Sequence, residues 1–219
     1  HDAASGSLML SRYDDVRAVV SNLDLWRDPL RAEEGAVMQR RFLENYDPSV
    51  PRSNTTSILM LDNPDHARVR QPLAQALYAR VAKFRGEVER IVDETLDAVA
   101  GEAEFDLMSR FCVPIPIDVI ASILGIDHDR LADFRSWSEG VIQSLNAFRT
   151  PAQTEAMMKA SEDLTAYFTQ AIADRRANPR DDLISDMTRL QASGADLSDH
   201  ELRINLGALL VGGNLTTTD

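Results

Sequence analysis

Among its 219 residues the chain has one cysteine, Cys112, which excludes any disulfide within it. Nothing else suggests a secreted, disulfide-stapled scaffold. No apolar run reaches the roughly 18 residues that mark a membrane-spanning helix. The longest candidate, Val113–Ile126, is interrupted by Pro114, Pro116 and Asp118. An excess of basic charge is missing too: 35 acidic against 23 basic side chains leave a net charge of −12. A nucleic-acid binder needs a basic face from which counterions are released. The densest basic groups here, Arg40-Arg41, Arg80/Lys83/Arg85 and Arg175-Arg176, each sit among acids and read as solvated helix faces. Nucleic acid is therefore set aside as a partner. Asn-Gly and Asp-Gly, the strongest hairpin signals, do not occur. The opening His1-Asp2-Ala3-Ala4 is neither a signal peptide nor an initiator methionine, which predicts a chain beginning partway into its gene product or behind further residues.

What is present is helical nearly throughout. Hydrophobic residues make up 44% and charged residues 26%, an ordinary globular composition that argues against disorder. One short strand is predicted at Leu8-Met9-Leu10, followed by a helix over Tyr13–Ser21. From Val81, the residues Phe84, Val88, Ile91, Val92, Leu96 and Val99 recur at three- and four-residue steps, one amphipathic stripe that Gly101 stops. Further helices are predicted over Asp118–Leu124, ending at Gly125, and over Asp129–Leu145. Thr150-Pro151 opens a long helix carrying Met157, Leu164, Phe168 and Ile172, which Asn178-Pro179 closes. Ser198 and Glu201 form a capping box for the last helix. The stretch from Leu30 to Thr56 is the least regular, and so long a loop in a helical domain points to mobility or function. With no convincing linker, residues 1–219 read as one domain.

Two motifs carry chemistry. In Asp62-Asn63-Pro64-Asp65-His66-Ala67-Arg68-Val69-Arg70, Asn63 suits an N-cap and Pro64 a first helical residue. A helix from there stacks His66 and Arg70 on one face. Such a pair suits a fixed carboxylate or phosphate, or is a solvent-facing polar pair. Metal-ligand spacing is absent. The second motif closes the chain, with Gly212-Gly213 and Thr216-Thr217-Thr218 in an apolar helix. Glycine in a helix interior costs about 1 kcal/mol relative to alanine, so the missing side chains serve either a ligand held against the backbone or close helix packing. Gly212 and Thr216 fall on one face.

Several segments in order make a larger pattern. They are Tyr13-Asp14-Asp15-Val16-Arg17, Asp62-Asn63-Pro64-Asp65-His66 with Arg70, and Val113-Pro114-Ile115-Pro116-Ile117-Asp118 leading to Leu124-Gly125-Ile126. Arg175-Arg176-Ala177-Asn178-Pro179 with Asp181-Asp182-Leu183 follows, and then Leu197-Ser198-Asp199 with Gly212-Gly213 and Thr216-Thr217. So arranged, the chain resembles the cytochrome P-450 family of haem-thiolate monooxygenases, in its soluble bacterial type. The resemblance implies a mainly α cytochrome P-450 fold with a minor β element near the N-terminus. It also casts the chain as the N-terminal half of that fold, truncated within the long central helix, with the haem-ligating cysteine beyond Asp219. Cys112 reads as a small core residue rather than that ligand.

On these positions the resemblance implies that His66 and Arg70 grip the haem propionates. Gly212 and Gly213 allow the bend where dioxygen binds, Ala208 faces the same pocket, and the Thr216 hydroxyl helps deliver protons. Ile58, Leu59 and Val211 become candidate substrate contacts. The implied protein is a cytoplasmic monooxygenase carrying haem b (iron protoporphyrin IX), acting with dioxygen on a small hydrophobic substrate, with electrons from a ferredoxin and ferredoxin reductase and no membrane association. Leu215 stands where the family usually has an acid, so the usual acid–alcohol pair is broken. That leaves a peroxide-driven peroxygenase as an alternative, and a non-catalytic helical interaction module as another.

Overall fold

The computed structural model describes residues 8–22, 25, 27–34, 36–43, 47–50, 54, 56–146 and 149–218. Its helices are α1 (Tyr13–Ser21), α2 (Val37–Leu43), α3 (Asp65–Val81), α4 (Arg85–Asp97), α5 (Pro114–Leu124), α6 (Leu131–Val141), α7 (Pro151–Ala177), α8 (Leu183–Ala192) and α9 (Asp199–Thr218). Short 3-10 turns lie between them at Pro29–Arg31, Ile58–Met60, His128–Arg130 and Ile142–Leu145, and a π turn at Met108–Cys112 leads into α5.

No strand occurs among the described residues, which corrects the expected β element. Leu8 and Met9 are each 78% exposed and have no neighbouring strand, and a strand without a ladder partner leaves its backbone groups to water. The stripe expected to run unbroken from Val81 is also divided. α3 ends at Val81, and α4 begins at Arg85 after a tight turn in which Lys83 N–H donates to the Arg80 carbonyl. The helix expected from Asp118 begins four residues earlier, because Pro114 and Pro116 occupy the first turn, where backbone N–H groups have no helical partner to lose.

One cluster of buried apolar side chains draws on α3, α5, α6, α7, α8 and α9. Leu202, Leu206 and Leu210 of α9 are fully buried in it, as are Phe134, Phe168, Leu183, Ile184 and Met187. Between α6 and α7, Phe134 meets Tyr167 edge-on at 4.6 Å and Trp137 at 4.9 Å, an arrangement favoured by the ring quadrupoles. Arg130 lies over both Trp137 and Tyr167. α7, at 27 residues, is about 40 Å long and packs against α6, α8 and α9. Thr150 and Gln153 cap its start reciprocally.

The junction of α5, α7 and α8 is held by a buried ion pair. Arg175 Nε donates to Asp182 at 2.5 Å, with side chains only 4% and 3% exposed, and a second Arg175 nitrogen donates to the Gly125 carbonyl. Asp182 also caps α8 by accepting from Ser185 N–H. Gly125 ends α5 at φ +84°, and a side chain there would run into Asp182, so glycine serves both the left-handed cap and the close approach.

Candidate functional site

α3 begins one residue later than the sequence suggests. Pro64, joined to Asn63 by a cis peptide bond, occupies the cap position, and Asp65 is the first helical residue. The turn starts where His66 N–H donates to the Asp62 backbone carbonyl. The Asp62 carboxylate faces away from the helix and accepts the N–H groups of Arg27 and Asp28 at 3.0–3.1 Å. Burial pushes this carboxyl up, but those two N–H groups and the charges of Arg31 and Arg27 outweigh it, holding Asp62 below the ordinary carboxylate value.

His66 and Arg70 lie one turn apart on α3, His66 half-buried and Arg70 exposed. Burial lowers the pKa of His66 below its ordinary 6.5, and the charges of Arg70 and Arg27 lower it further against the pull of Asp62. His66, Arg70 and Arg27 therefore form a group whose members repel additional positive charge. An imidazole and a guanidinium one turn apart suit an anionic oxygen as a shared acceptor.

α9 presents two unlike faces. Leu202, Asn205, Leu206 and Leu210 are buried against the core, whereas Val211 and Gly212 lie three and four residues beyond Ala208 on a side that is half-buried or open. The adjacent glycines divide accordingly. A Cβ built on Gly213 would stand 2.7 Å from Ile120 Cγ1 of α5, so Gly213 is where the two helices close on each other. A Cβ on Gly212 would meet nothing within 4 Å among the described residues. The close-packing reading thus applies to Gly213, while Gly212 faces open space. Thr216 falls one turn beyond Gly212 on the helix, and its side chain, like that of Leu215, lies outside the described residues.

The start of α3 and the turn before it are tied to the first half of α9 by polar contacts. Arg68 makes a fork to Glu201 at 2.6 and 3.2 Å, and Glu201 is nearly fully buried. Glu201 also completes the capping box expected from sequence: it accepts Ser198 N–H at 2.7 Å while its own N–H donates to Ser198 Oγ at 3.1 Å. Ser198 Oγ in turn donates to Asn54. Two turns along α9, the Asn205 amide oxygen accepts Ile58 N–H at 2.9 Å and its nitrogen donates to the Glu201 carbonyl at 2.8 Å. Ile58 is partly buried against the core, and Leu59 is 56% exposed. Arg68 and Asn205 escaped the sequence reading. A polar amide in the stripe Leu202, Asn205, Leu206 was the available signal, since a buried amide needs partners.

Two surface clefts lie elsewhere, one of about 880 Å³ beside Arg149, Met158 and Lys159, the other of about 630 Å³ between α3 and α8. Neither includes a nominated site residue. Among the described residues no group of three or more His, Cys, Asp or Glu is placed to hold a metal ion, and no helix is long and apolar enough to cross a membrane. Cys112 is half-buried at the end of the π turn.

This order of helices is that of bacterial cytochrome P450 structures, and the likeness of fold extends over nearly the whole chain. The chain is similar to cytochrome P450 107B1 of Saccharopolyspora erythraea, with 32% identity over 213 residues, covering 96% of this chain and 50% of that protein. It is 30% identical to the polyketide biosynthesis cytochrome P450 PksS of Bacillus subtilis, over 96% of this chain and 50% of that one. Among solved structures, the myxobacterial cytochrome P450 CYP267B1 in complex with myristic acid superposes with a TM-score of 0.78 at 30% identity, covering 94% of this chain and 50% of that one. No family model matches the chain. The chain spans about half the length of the curated relatives it matches.

Against the expectation of a truncated fold, no break is seen in the described part of α9, from Asp199 to Thr218, and the likeness takes in 94–96% of this chain and about half of each relative.

Proposed function

We propose that the protein is a haem-dependent monooxygenase that oxidises a small hydrophobic organic substrate with dioxygen, drawing electrons from a ferredoxin and its reductase in the cytoplasm. We further propose that residues 1–219 belong to a single domain. The family-level likeness to cytochrome P450 oxidoreductases supports the activity. The observations that carry it are the P450-like fold, His66 and Arg70 one turn apart on α3, and the open space beside Gly212 on α9.

The residues present fit haem b. His66 and Arg70, with Arg27 beside them, would hold its propionates, exchanging mutual repulsion for charge-assisted hydrogen bonds. Gly212 and Ala208 would lie against the ring, where Gly212 leaves space. When bound, haem supplies the activation of dioxygen and the transfer of one oxygen atom. The chain's own share is binding, orientation and proton supply. Ile58, Leu59 and Val211 would contact an apolar substrate and exclude water from it. A bound fatty acid in the myxobacterial neighbour supports a substrate of that character. Gly213 would set the helix spacing at the bend. Thr216 would hold a proton on its hydroxyl and pass it on, while Leu215 has no group to titrate, so that Asn214, water or the substrate would stand in for the acid.

The test is the absorption spectrum of the reduced, carbon monoxide-bound full gene product, because residues 1–219 span about half of the curated relatives and Cys112 reads as a core residue. A thiolate-type Soret band is expected. Well-folded protein that takes up no haem would overturn the reading.

A further inference from the structure

The structure holds one polar contact between the turn before α3 and the buried face of α9 that a helix does not need for its own stability. Asn205 is 1% exposed, and the path of its amide is determined by its partners: the oxygen accepts from Ile58 N–H, and the nitrogen donates to the Glu201 carbonyl. That carbonyl belongs to α9 itself, so the amide is braced on its own helix and aimed at the turn. Seven residues earlier, at the cap of α9, Ser198 Oγ donates to Asn54 at 2.7 Å. The segment from Asn54 to Ile58 is thus pinned at two points, two helical turns apart on one helix. The second pin sits at the head of the Ile58–Met60 turn and one turn before Ala208.

We infer that Asn205 is a positioning residue that sets the width of the apolar site by clasping the Ile58–Met60 turn to α9, and so governs which ligand sizes the site accepts. The inference rests on the reading of Ile58, Leu59, Ala208 and Val211 as ligand-facing. Without the clasp, Ile58 N–H has no acceptor on α9, and the turn is free to move outward from Ala208. The amide then acts on ligand choice through backbone placement, without touching the ligand.

The experiment compares N205L, which has the same branching at Cγ and no polar group, with N205D, whose carboxylate keeps an oxygen acceptor for Ile58 N–H. Both are made in the haem-loaded protein. Two quantities are measured: amide hydrogen exchange at Ile58, and the ratio of dissociation constants for 4-phenylimidazole and imidazole from optical titration. In N205L, Ile58 is expected to exchange about three- to ten-fold faster, the loss of one hydrogen bond. The size ratio is expected to change roughly five-fold, while imidazole alone binds as before. N205D is expected to restore both.

Unchanged exchange at Ile58 would overturn the clasp. Faster exchange with an unchanged ratio would overturn its role in ligand choice. Should N205L fail to fold, N205S, too short to span both partners, takes its place with the same expectations. Failure of the wild-type protein to take up haem would sink the monooxygenase reading, whereas the exchange measurement tests the clasp without it.

Discussion

Ile120 of α5 fills the space where a side chain on Gly213 of α9 would stand: a Cβ there would lie 2.7 Å from Ile120 Cγ1 and 2.9 Å from Cδ1. Gly213→Ala should therefore destabilise the protein by about 1–3 kcal/mol, the cost of overpacking exceeding the helical gain of about 1 kcal/mol from alanine. Gly212→Ala meets no such obstacle and should be neutral or stabilising by up to about 1 kcal/mol. Urea melts of the two variants give opposite signs if the glycines divide their roles as described. Ile120→Ala alone should cost about 2–5 kcal/mol. In the double variant the Gly213→Ala methyl occupies part of the vacated space, so the two losses should fall short of additivity by about 1 kcal/mol or more. Strict additivity would show that the residues are not in contact.

Among the described residues, the Arg175–Asp182 pair should be the polar contact most sensitive to substitution. Removing either partner, by Arg175→Met or Asp182→Leu, leaves a buried charge without its counterpart and should cost about 3–5 kcal/mol. Asp182→Leu also removes the cap on α8, worth about 1 kcal/mol more. Replacing both together should cost less than the sum of the two, because no isolated charge remains. Denaturant midpoints for the three variants test this, and a double variant as damaged as the sum would contradict it.

His66 gives a pH dependence of definite sign. Its folded-state pKa is lowered from 6.5 by burial first, then by Arg70 and Arg27. Between the lowered value and 6.5 the unfolded chain binds more protons than the folded one, so stability falls as pH drops through that window. Haem-free protein should lose stability on acidification below pH 6.5, and His66→Leu should flatten that part of the curve. Anionic propionates beside the ring favour its charged form and should weaken the dependence in haem-loaded protein. Parallel curves for wild type and variant would remove His66 as the cause.

If the Thr216 hydroxyl supplies protons, Thr216→Ala should release more hydrogen peroxide for each NADH consumed. With Leu215 beside it in place of an acid, the effect rests on the hydroxyl alone. An unchanged peroxide yield would take Thr216 out of proton delivery.

The features legible in the sequence were those written in local chemistry. Thr150, the Ser198–Glu201 box and Gly125 each mark a helix end with a side chain or a dihedral that needs only near neighbours, and each is found at its expected place. Where partners lie far along the chain, the local signal failed. Leu8-Met9-Leu10 has strand composition but no strand beside it, and pairing is a non-local property. α8 was not foreseen, although Asp182 as cap with Leu183, Ile184 and Met187 at helical spacing was there to be read. At the candidate site the spacing of His66 and Arg70 was visible, but Arg27, 39 positions upstream of His66, comes close only through the fold. Likewise, nothing local separates Gly212 from Gly213; the distinction belongs to Ile120.

The grip of the Asp62 carboxylate on the N–H groups of Arg27 and Asp28 has a consequence for how this protein can be varied. It brings the two ends of a long connection together independently of what lies between them. Loop-closure theory puts the cost of doubling the length of such a connection at only roughly 0.6 kcal/mol. Insertions and deletions between Glu34 and Asn54 can therefore accumulate over evolution, or be introduced by design, while the knot at Asp62 keeps α3 in register. In this respect the segment is a graft site, open to new lengths and sequences beside the fixed contacts of Asp62.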